Sequence, residues 1–292
     1  MKKVSLTVYC EGGLGNQLFQ FIAGYVLAKK NKMNLRINIE RLNSYDRQFE
    51  LDKFPEIYKL NIPKINNYKF YKALKILGIY KLINFFLNKN IEKFERSPFT
   101  FNEDLLKKKI VNNFSITGYF QSEKYFLNYK ENVLKLLRFP KAKNKLIQNY
   151  LNLIKNRNSV AIHIRRGDYL NNPKVKCYHG VLGERYYKKS ISYIKKNIKK
   201  PLFFIFSDDI NLVKKTFLFL NKKKYIFIDT KSSISDLYLM SNCKHFIIAN
   251  STFSWWGAWL SKNKHKIVIA PKKWLRAKIS TPDIIPESWI KI

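Results

Sequence analysis

The chain alternates short apolar runs with stretches of helical periodicity, and this alternation constrains its fold more than any other feature. Residues 4–10 are a run of β-branched and aromatic side chains, and Gly12, Gly13 and Gly15 follow it. From Asn16 onward apolar side chains recur with the period of an amphipathic helix, and residues 35–39 return to a strand pattern. The amino-terminal region is therefore predicted to be a β-loop-α-β unit.

A second series of strands and helices begins after a Lys- and Asn-rich stretch at residues 141–158, which has helical spacing. Apolar runs separated by helix-like segments follow it, at residues 159–164, 201–206, 225–228 and 246–249. Repeated strand-helix-strand order is typical of a parallel sheet with helices on its faces. We therefore predict two α/β domains, at residues 1–155 and 156–292, joined by a linking helix.

The composition excludes several classes of protein. The 292 residues, 46% of them hydrophobic, can bury a large core. No window reaches the roughly 20 apolar residues of a membrane-spanning helix, and the first apolar run is too short for a signal peptide. A cytoplasmic protein is therefore expected. Cys10, Cys177 and Cys243 lie far apart, so they are expected to be buried or free thiols and not zinc ligands.

The formal net charge of +36 predicts a partner or compartment rich in anions. Nucleic acid, an anionic lipid surface and a phosphorylated small molecule all fit, and the codon bias of an AT-rich genome would also raise the lysine content. Residues 63–96 mix lysines with large apolar side chains, so they form either a half-buried helix or a basic helix on anionic lipid. Nucleic acid is disfavoured because no known nucleic-acid-binding signature occurs and the lysines are spread along the chain.

The strongest candidate site is the segment 163–169, which begins at the carboxyl end of an apolar run. Open parallel sheets bind ligands at the carboxyl ends of their strands. Arg165 and Arg166 would present planar, always-charged donors to a diphosphate there, and Gly167 would let the chain turn sharply. The alternative is an exposed basic turn with Asp168 as its salt-bridge partner.

Hydroxyl and carboxyl side chains follow other predicted strands. Ser251 and Thr252 precede a helix, where hydroxyl and N–H groups bind anions, although a plain N-cap explains them too. Asp208 and Asp236 are candidate readers of guanine, because a carboxylate accepts two hydrogen bonds from its N1–H and amino group; helix capping explains Asp208 equally well. No Asp-x-Asp triplet occurs, so arginine would replace a metal ion at the diphosphate.

Three segments together, residues 12–20, 163–169 and 250–260, resemble the bacterial alpha-1,2-fucosyltransferases, glycosyltransferase family eleven. Supporting similarity at residues 118–125 and 207–209 extends the resemblance over nearly the whole chain. It implies an α/β fold of the GT-B type, in which two Rossmann-like, doubly wound domains face a central cleft. It also implies that the first domain binds the acceptor, that the second binds GDP-fucose, and that no metal or other cofactor is required.

The resemblance also assigns residues to the donor site. They are Asn16, His163, Arg165, Arg166, Asp236, Ser251, Thr252 and Phe253. Arg165 would bind the β-phosphate and offset the charge on departing GDP, His163 would approach the nucleoside, and Asp236 would read guanine. Asn16 would reach the diphosphate from the first domain, and the last three residues would clasp the phosphate and ribose. Asp168 is the candidate general base, or else it orients an arginine.

The activity implied is inverting transfer of L-fucose to the 2-hydroxyl of a terminal galactoside, in surface-polysaccharide or lipopolysaccharide synthesis. The acceptor would be a galactose-terminated oligosaccharide or a lipid-linked glycan. The protein would be cytoplasmic, either free or peripheral on the inner face of the membrane, where its basic surface suits anionic lipid. Another GDP- or dTDP-linked deoxysugar donor and a catalytically silent sugar-nucleotide sensor remain open alternatives.

Overall fold

The computed structural model describes residues 4–45, 47–67, 73, 76–77, 91–93, 99–220 and 223–292. The chain divides into two compact units, Met1–Pro140 with Pro282–Ile284 and Lys141–Thr281 with Ile285–Ile292. Each unit has a parallel sheet with helices between its strands. The predicted α/β fold class with two Rossmann-like units is confirmed.

The first unit contains a sheet of five parallel strands. They are β1 (Ser5–Tyr9), β2 (Asn34–Asn38), β3 (Lys64–Ile65), β4 (Ile91–Lys93) and β5 (Phe114–Thr117). Their spatial order is β3-β2-β1-β5-β4. The predicted β-loop-α-β unit is confirmed, because α1 (Leu14–Lys30) connects β1 to β2.

Shorter helices complete the described part of the first unit. The α-helices are α2 (Pro55–Lys59), α3 (Glu103–Lys107) and α4 (Lys130–Leu136). The 3-10 helices are Glu40–Tyr45, Leu51–Lys53, Glu123–Tyr125 and Leu127–Tyr129. The helix considered for residues 63–96 does not extend over the whole range, because Lys64–Ile65 and Ile91–Lys93 are the strands β3 and β4; most of the residues between them lie outside the described part of the chain.

The second unit contains a sheet of six parallel strands. They are β6 (Asn158–Ile164), β7 (Pro201–Ser207), β8 (Tyr225–Phe227), β9 (His245–Ile247), β10 (Val268–Ala270) and β11 (Ile290–Lys291). Their spatial order is β11-β10-β9-β6-β7-β8. The chain moves from β6 to β7 and β8 on one side and then returns to place β9 on the other. This is the strand order of dinucleotide-binding sheets, with its switch point between β6 and β9.

Helices lie between these strands in the chain. They are α5 (Lys145–Asn156), α6 (Gly167–Asn171), α7 (Pro173–His179), α8 (Glu184–Asn197), α9 (Ile210–Thr216), α10 (Ser233–Asn242) and α11 (Thr252–Trp259), with a 3-10 helix at Leu218–Leu220. Because strand side chains alternate between faces, Val160, Ile162 and Ile164 pack into a core with Tyr187 of α8, while His163 points to the opposite face.

The boundary between the units differs from the predicted division at residues 155 and 156. Helix α5 packs against α10 and β6, so it belongs to the second unit and is not a linker. Conversely, Asp283 belongs to the first unit, because it accepts a hydrogen bond from the N–H of Phe101 at 2.8 Å and pairs with Lys124 at 2.6 Å.

Among the cysteines, Cys10 and Cys243 are buried and Cys177 is exposed, and all three are free thiols as expected.

Helices α10 and α11 pack closely where Gly257 faces Met240. A Cβ atom at Gly257 would lie 2.3 Å from the Met240 Sδ atom, so Gly257→Ala should lower the free energy of unfolding by about 1–3 kcal/mol. Met240→Ala makes room for the added methyl group, so the two changes together should cost less than the sum of their separate effects. Urea unfolding of the four proteins measures this coupling; strictly additive costs would contradict the contact.

Candidate active site

Two motifs predicted to carry chemistry meet at the switch point of the second sheet. The segment 163–169 begins at the end of β6, and the segment 250–260 follows β9. These two strands are hydrogen-bonded neighbours. The Tyr169 hydroxyl donates to the Asn250 carbonyl at 3.0 Å, and the rings of His163 and Phe253 lie 5.7 Å apart. The ends of both strands therefore contribute to one place, which is where open α/β sheets bind ligands.

Arg165 is held from two directions at the end of β6. Its Nε atom lies 3.4 Å from the Asp208 Oδ2 atom, and its guanidinium carbon lies 5.4 Å from the centre of the Tyr169 ring. About a fifth of the side chain, 21%, is exposed to solvent. The guanidinium is thus oriented by the protein while a ligand can still reach it, which is the arrangement that anion binding requires.

Asp208, which follows β7, fixes this orientation. Its Oδ1 atom accepts a hydrogen bond from the N–H of Arg166 at 2.8 Å, while Oδ2 faces Arg165. A Cβ atom at Gly167 would lie 2.2 Å from Oδ2, so the carboxylate needs glycine there. The capping alternative fails for Asp208, because Asp209 caps α9 through the N–H of Leu212 at 2.9 Å. The guanine-reading alternative does not explain these contacts either.

Arg166 takes a different position from the one predicted. Its side chain is buried, and it donates to the carbonyls of Arg165 at 2.8 Å and Leu182 at 3.0 Å. The guanidinium carbon lies 4.6 Å from the centre of the Phe217 ring, which belongs to the core on the α8 side of the sheet. The donor-binding role predicted for Arg166 therefore does not match its contacts; it ties the segment after β6 to the core.

His163 is a neutral imidazole inside this site. Its residue is only 3% exposed, and burial together with the charge of Arg165 lowers its pKa to about 3. Within the described part of the chain, its buried Nδ1 atom has no hydrogen-bond partner. An unsatisfied buried nitrogen costs free energy, and a ligand group that hydrogen-bonds to Nδ1 would remove that cost.

The amino terminus of α11 adds a second anion-binding element. Ser251 is its N-cap residue but makes no capping hydrogen bond with its side chain, and the first turn holds no acidic residue. Because the first N–H groups of a helix lack intrahelical acceptors, this end attracts a phosphate group beside Thr252 and Phe253. The tryptophans that follow, Trp255 and Trp256, are fully buried core residues.

Asp236 lies in the first turn of α10, after β8. It accepts a hydrogen bond from the Thr230 hydroxyl at 2.7 Å. Burial raises its pKa from 3.8 to about 6, although the bond from Thr230 opposes that change. Such a carboxylate lacks part of its usual solvation, so a ligand with two adjacent N–H donors would bind it well.

Asn16 and Asp168 are the remaining predicted site residues. Asn16 belongs to the first unit, in the first turn of α1, and its Oδ1 atom accepts a hydrogen bond from Gln121 at 3.0 Å. Gly12 has a φ of +78°, and a Cβ atom there would lie 2.6 Å from the Asn16 Nδ2 atom, so a substitution of Gly12 would be strained. The backbone of Asp168 lies in α6, but its side chain lies outside the described part of the structure.

The sequence matches the model of glycosyl transferase family 11 over residues 5–292. It is 36% identical to an alpha-1,2-colitosyltransferase from Escherichia coli, with 96% of both chains covered. It is also 32% identical to the O-antigen biosynthesis glycosyltransferase WbnK from Escherichia coli, covering 96% of this chain and 98% of that protein. A galactoside 2-alpha-L-fucosyltransferase from Caenorhabditis elegans is 26% identical over 60% of this chain and 51% of its own length.

The fold and site define an α/β protein with a candidate anion-binding site at a topological switch point. The chain belongs to glycosyltransferase family 11, as the sequence resemblance indicated. Among the described residues, no helix has the length and apolar character needed to cross a membrane. The same residues contain no group of three or more His, Cys, Asp or Glu side chains that could hold a metal ion.

The contacts of Asp208 predict how activity depends on it. Asp208→Asn keeps an oxygen for the N–H of Arg166 but removes the charge that orients Arg165, so kcat should fall about tenfold to 100-fold. Gly167→Ala should cause a similar loss by displacing the carboxylate. Steady-state kinetics measure both effects, with Asp209→Asn as a control. Wild-type kcat in Asp208→Asn would contradict the positioning role.

Asp236→Asn should have opposite effects on stability and on binding. Because the folded pKa of Asp236 is raised from 3.8 to about 6, wild-type stability falls as pH rises through this interval. The neutral variant should therefore be more stable at about pH 8, by on the order of 1–3 kcal/mol, and equally stable below about pH 4.

The same variant should bind GDP about tenfold to 100-fold more weakly, because a charged acceptor is lost. Urea unfolding across this pH range and calorimetric titration with GDP measure the two effects. Asp229→Asn, which removes a neighbouring carboxylate paired with Lys231 at 2.8 Å, is the matched control. Unchanged GDP affinity in Asp236→Asn would remove Asp236 from the nucleotide site.

Proposed function

We propose that this glycosyltransferase moves L-fucose from GDP-fucose to the 2-hydroxyl of a terminal galactoside, with inversion and without a metal ion. The observation that carries the proposal is Arg165, oriented by Asp208 and Tyr169 yet accessible at the switch point of the second sheet. The second unit would bind the donor and the first unit the acceptor.

The reaction requires stabilisation of the negative charge that develops on the departing diphosphate. When the bond between fucose C1 and the β-phosphate breaks, the sugar becomes oxocarbenium-like and negative charge grows on GDP. A donor fixed in place before the reaction, such as Arg165, typically contributes about 2.7–4 kcal/mol to the transition state. The amino terminus of α11 would stabilise the same charge.

Inversion follows from attack on the opposite face of the sugar. The acceptor oxygen forms its bond to C1 as the bond to GDP breaks, so a β-linked donor gives an α-linked product. The hydroxyl proton must leave with this step. Asp168, next to the arginine pair, stays the proposed acceptor of that proton or a group that orients Arg165.

The nucleoside would be recognised by His163 and Asp236. Guanine offers two adjacent donors, N1–H and the amino group, which match the two oxygens of the Asp236 carboxylate. Thymine offers one N–H between two carbonyl oxygens, so a dTDP-linked donor would fit Asp236 poorly. His163 Nδ1, unpartnered among the described residues, would accept a hydrogen bond from the same nucleotide.

The relatives support the linkage and the acceptor class. The names of the Escherichia coli proteins specify alpha-1,2 transfer and O-antigen biosynthesis, and that of the Caenorhabditis elegans relative specifies 2-alpha-L-fucosyl transfer to a galactoside. A galactose-terminated or lipid-linked glycan of the cell surface is therefore the proposed acceptor. The proposed location is cytoplasmic, free or peripheral on the inner face of the membrane.

A second donor has a specific observation in its favour. The relative with 36% identity is a colitosyltransferase, and colitose is L-fucose without its 3-hydroxyl. GDP-colitose keeps every group that Arg165, Asp236 and α11 would contact. The two donors would differ only at the sugar.

The test is GDP release from GDP-fucose with EDTA and lactose present. Release that requires lactose in the wild type should fall about 100-fold to 1,000-fold in Arg165→Ala. Arg185→Ala, at an exposed position on α8, is the matched control and should keep wild-type rates. Parallel reactions with GDP-colitose and GDP-mannose decide the donor.

Other outcomes of this assay would contradict particular parts of the proposal. Loss of release on adding EDTA would contradict metal independence. A folded wild type that binds GDP but releases none from GDP-fucose with any galactoside would reject either the donor sugar or the acceptor class. Faster release from GDP-colitose would select the second donor.

A further inference from the structure

A second cluster of polar side chains lies in the first unit, at the carboxyl ends of β1, β2 and β5. In the order β3-β2-β1-β5-β4, the chain leaves β1 toward β2 on one side and later returns to β5 on the other. The carboxyl end of β1 is therefore the switch point of this sheet. Open α/β sheets bind ligands at such a point.

Arg41 joins the three strand ends. It follows β2, donates from Nη1 to the Thr117 hydroxyl on β5 at 2.7 Å, and lies 3.6 Å from the Glu11 carboxylate after β1. Its guanidinium carbon is 5.0 Å from the centre of the Tyr9 ring. The side chains of Arg41 and Glu11 are 34% and 13% exposed, so they are positioned by the protein but open to a ligand.

Two buried polar atoms in this cluster, one on Gln20 next to Glu11 and one on Glu40 next to Arg41, lack partners among the described residues. The Gln20 side chain is fully buried, and its Oε1 atom accepts the N–H of Glu11 at 3.0 Å. Across the described residues, neither its Nε2 atom nor the Glu40 Oε2 atom has a hydrogen-bond partner. Burial raises the pKa of Glu40, as expected for a carboxyl group that has lost solvent. Unsatisfied polar atoms at a ligand-binding edge indicate a ligand that supplies the missing bonds.

The charge of this cluster selects the kind of ligand. Glu11 and Glu40 flank a single Arg41, in a chain whose net charge is +36. Carboxylates repel phosphate groups but accept hydrogen bonds from hydroxyls, while the guanidinium and amide N–H groups donate to hydroxyl oxygens. A neutral molecule with neighbouring hydroxyl groups satisfies both kinds of group.

We propose that Glu11, Gln20, Glu40 and Arg41 bind the hydroxyl groups of the acceptor sugar. This inference rests on the proposed function, since it names the place where the first unit would hold the galactoside. Arg41 positions both the sugar and the Glu11 carboxylate, and Thr117 and Tyr9 hold Arg41 in that geometry.

Kinetics of Glu11→Gln, Glu40→Gln and Arg41→Gln with lactose and GDP-fucose test the site. Each change removes one charged hydrogen-bonding group, so the KM for lactose should rise about tenfold to 100-fold. The affinity for GDP, measured by calorimetry, should stay unchanged. Glu56→Gln, which removes a carboxylate paired with the exposed Lys59 of the same unit, is the control and should leave both quantities unchanged.

A lactose KM within about twofold of wild type in all three variants would overturn the proposal, as would an equal loss of GDP affinity. Thermal melting identifies a variant that fails to fold. If Arg41→Gln does so, the two Glu→Gln variants, which keep side-chain size and one oxygen, decide the matter.

The failure of this site and of the proposed function can be told apart. A wild type that transfers fucose to a galactoside while the three variants match it rejects the site alone. If the wild type transfers nothing, saturation-transfer NMR with lactose tests the site without a donor. Saturation that is present in wild type and Glu56→Gln but lost in Glu11→Gln supports the site; equal saturation in all, or none in wild type, rejects it.

Discussion

The Asp208 carboxylate connects the ends of two neighbouring strands and orients Arg165, the residue on which the proposed donor site depends. One oxygen binds the backbone after β6, and the other faces the Arg165 guanidinium. Arginine has many rotamers, and an exposed surface ion pair would restrict it little. Here Tyr169 and Asp208 both contact the Arg165 guanidinium and restrict its orientation. Gly167, which lacks a side chain, leaves space for the Asp208 carboxylate. The charge is therefore in place before a ligand arrives, which is the condition for electrostatic catalysis.

The polar groups that would recognise the nucleotide are costly without it. His163 is kept neutral by burial, with a nitrogen that has no partner in the described structure, and Asp236 is ionised at neutral pH in a place that raises its pKa to about 6. A protein selected only for stability would replace both groups. Their cost is offset when a ligand supplies the missing hydrogen bonds, so the same burial that destabilises the free protein favours the bound one.

The sequence predicted most of the fold because its central strands are long apolar runs. Strands β6 and β7 were placed within a residue, but β10 and β11, with three and two residues, are too short to show a period. The roles of Arg165 and Arg166 could not be separated by sequence, because the position of each guanidinium depends on distant groups such as the Leu182 carbonyl and Phe217. The sequence left Asp208 as a candidate guanine reader or helix cap, because its contact with Arg165 requires knowing that β6 pairs with β7.

Each of the two sheets has a topological switch point, and the two switch points differ in the charge of the side chains that lie there. At the switch point of the second sheet, Arg165 and an uncapped helix amino terminus present positive charge, which suits a diphosphate. At that of the first, two carboxylates surround one arginine, which suits a neutral sugar. A net charge of +36 would by itself draw a nucleotide to either place. At the proposed acceptor site, Glu11 and Glu40 would disfavour phosphate locally, so that site would select a neutral sugar even though the chain as a whole attracts anions.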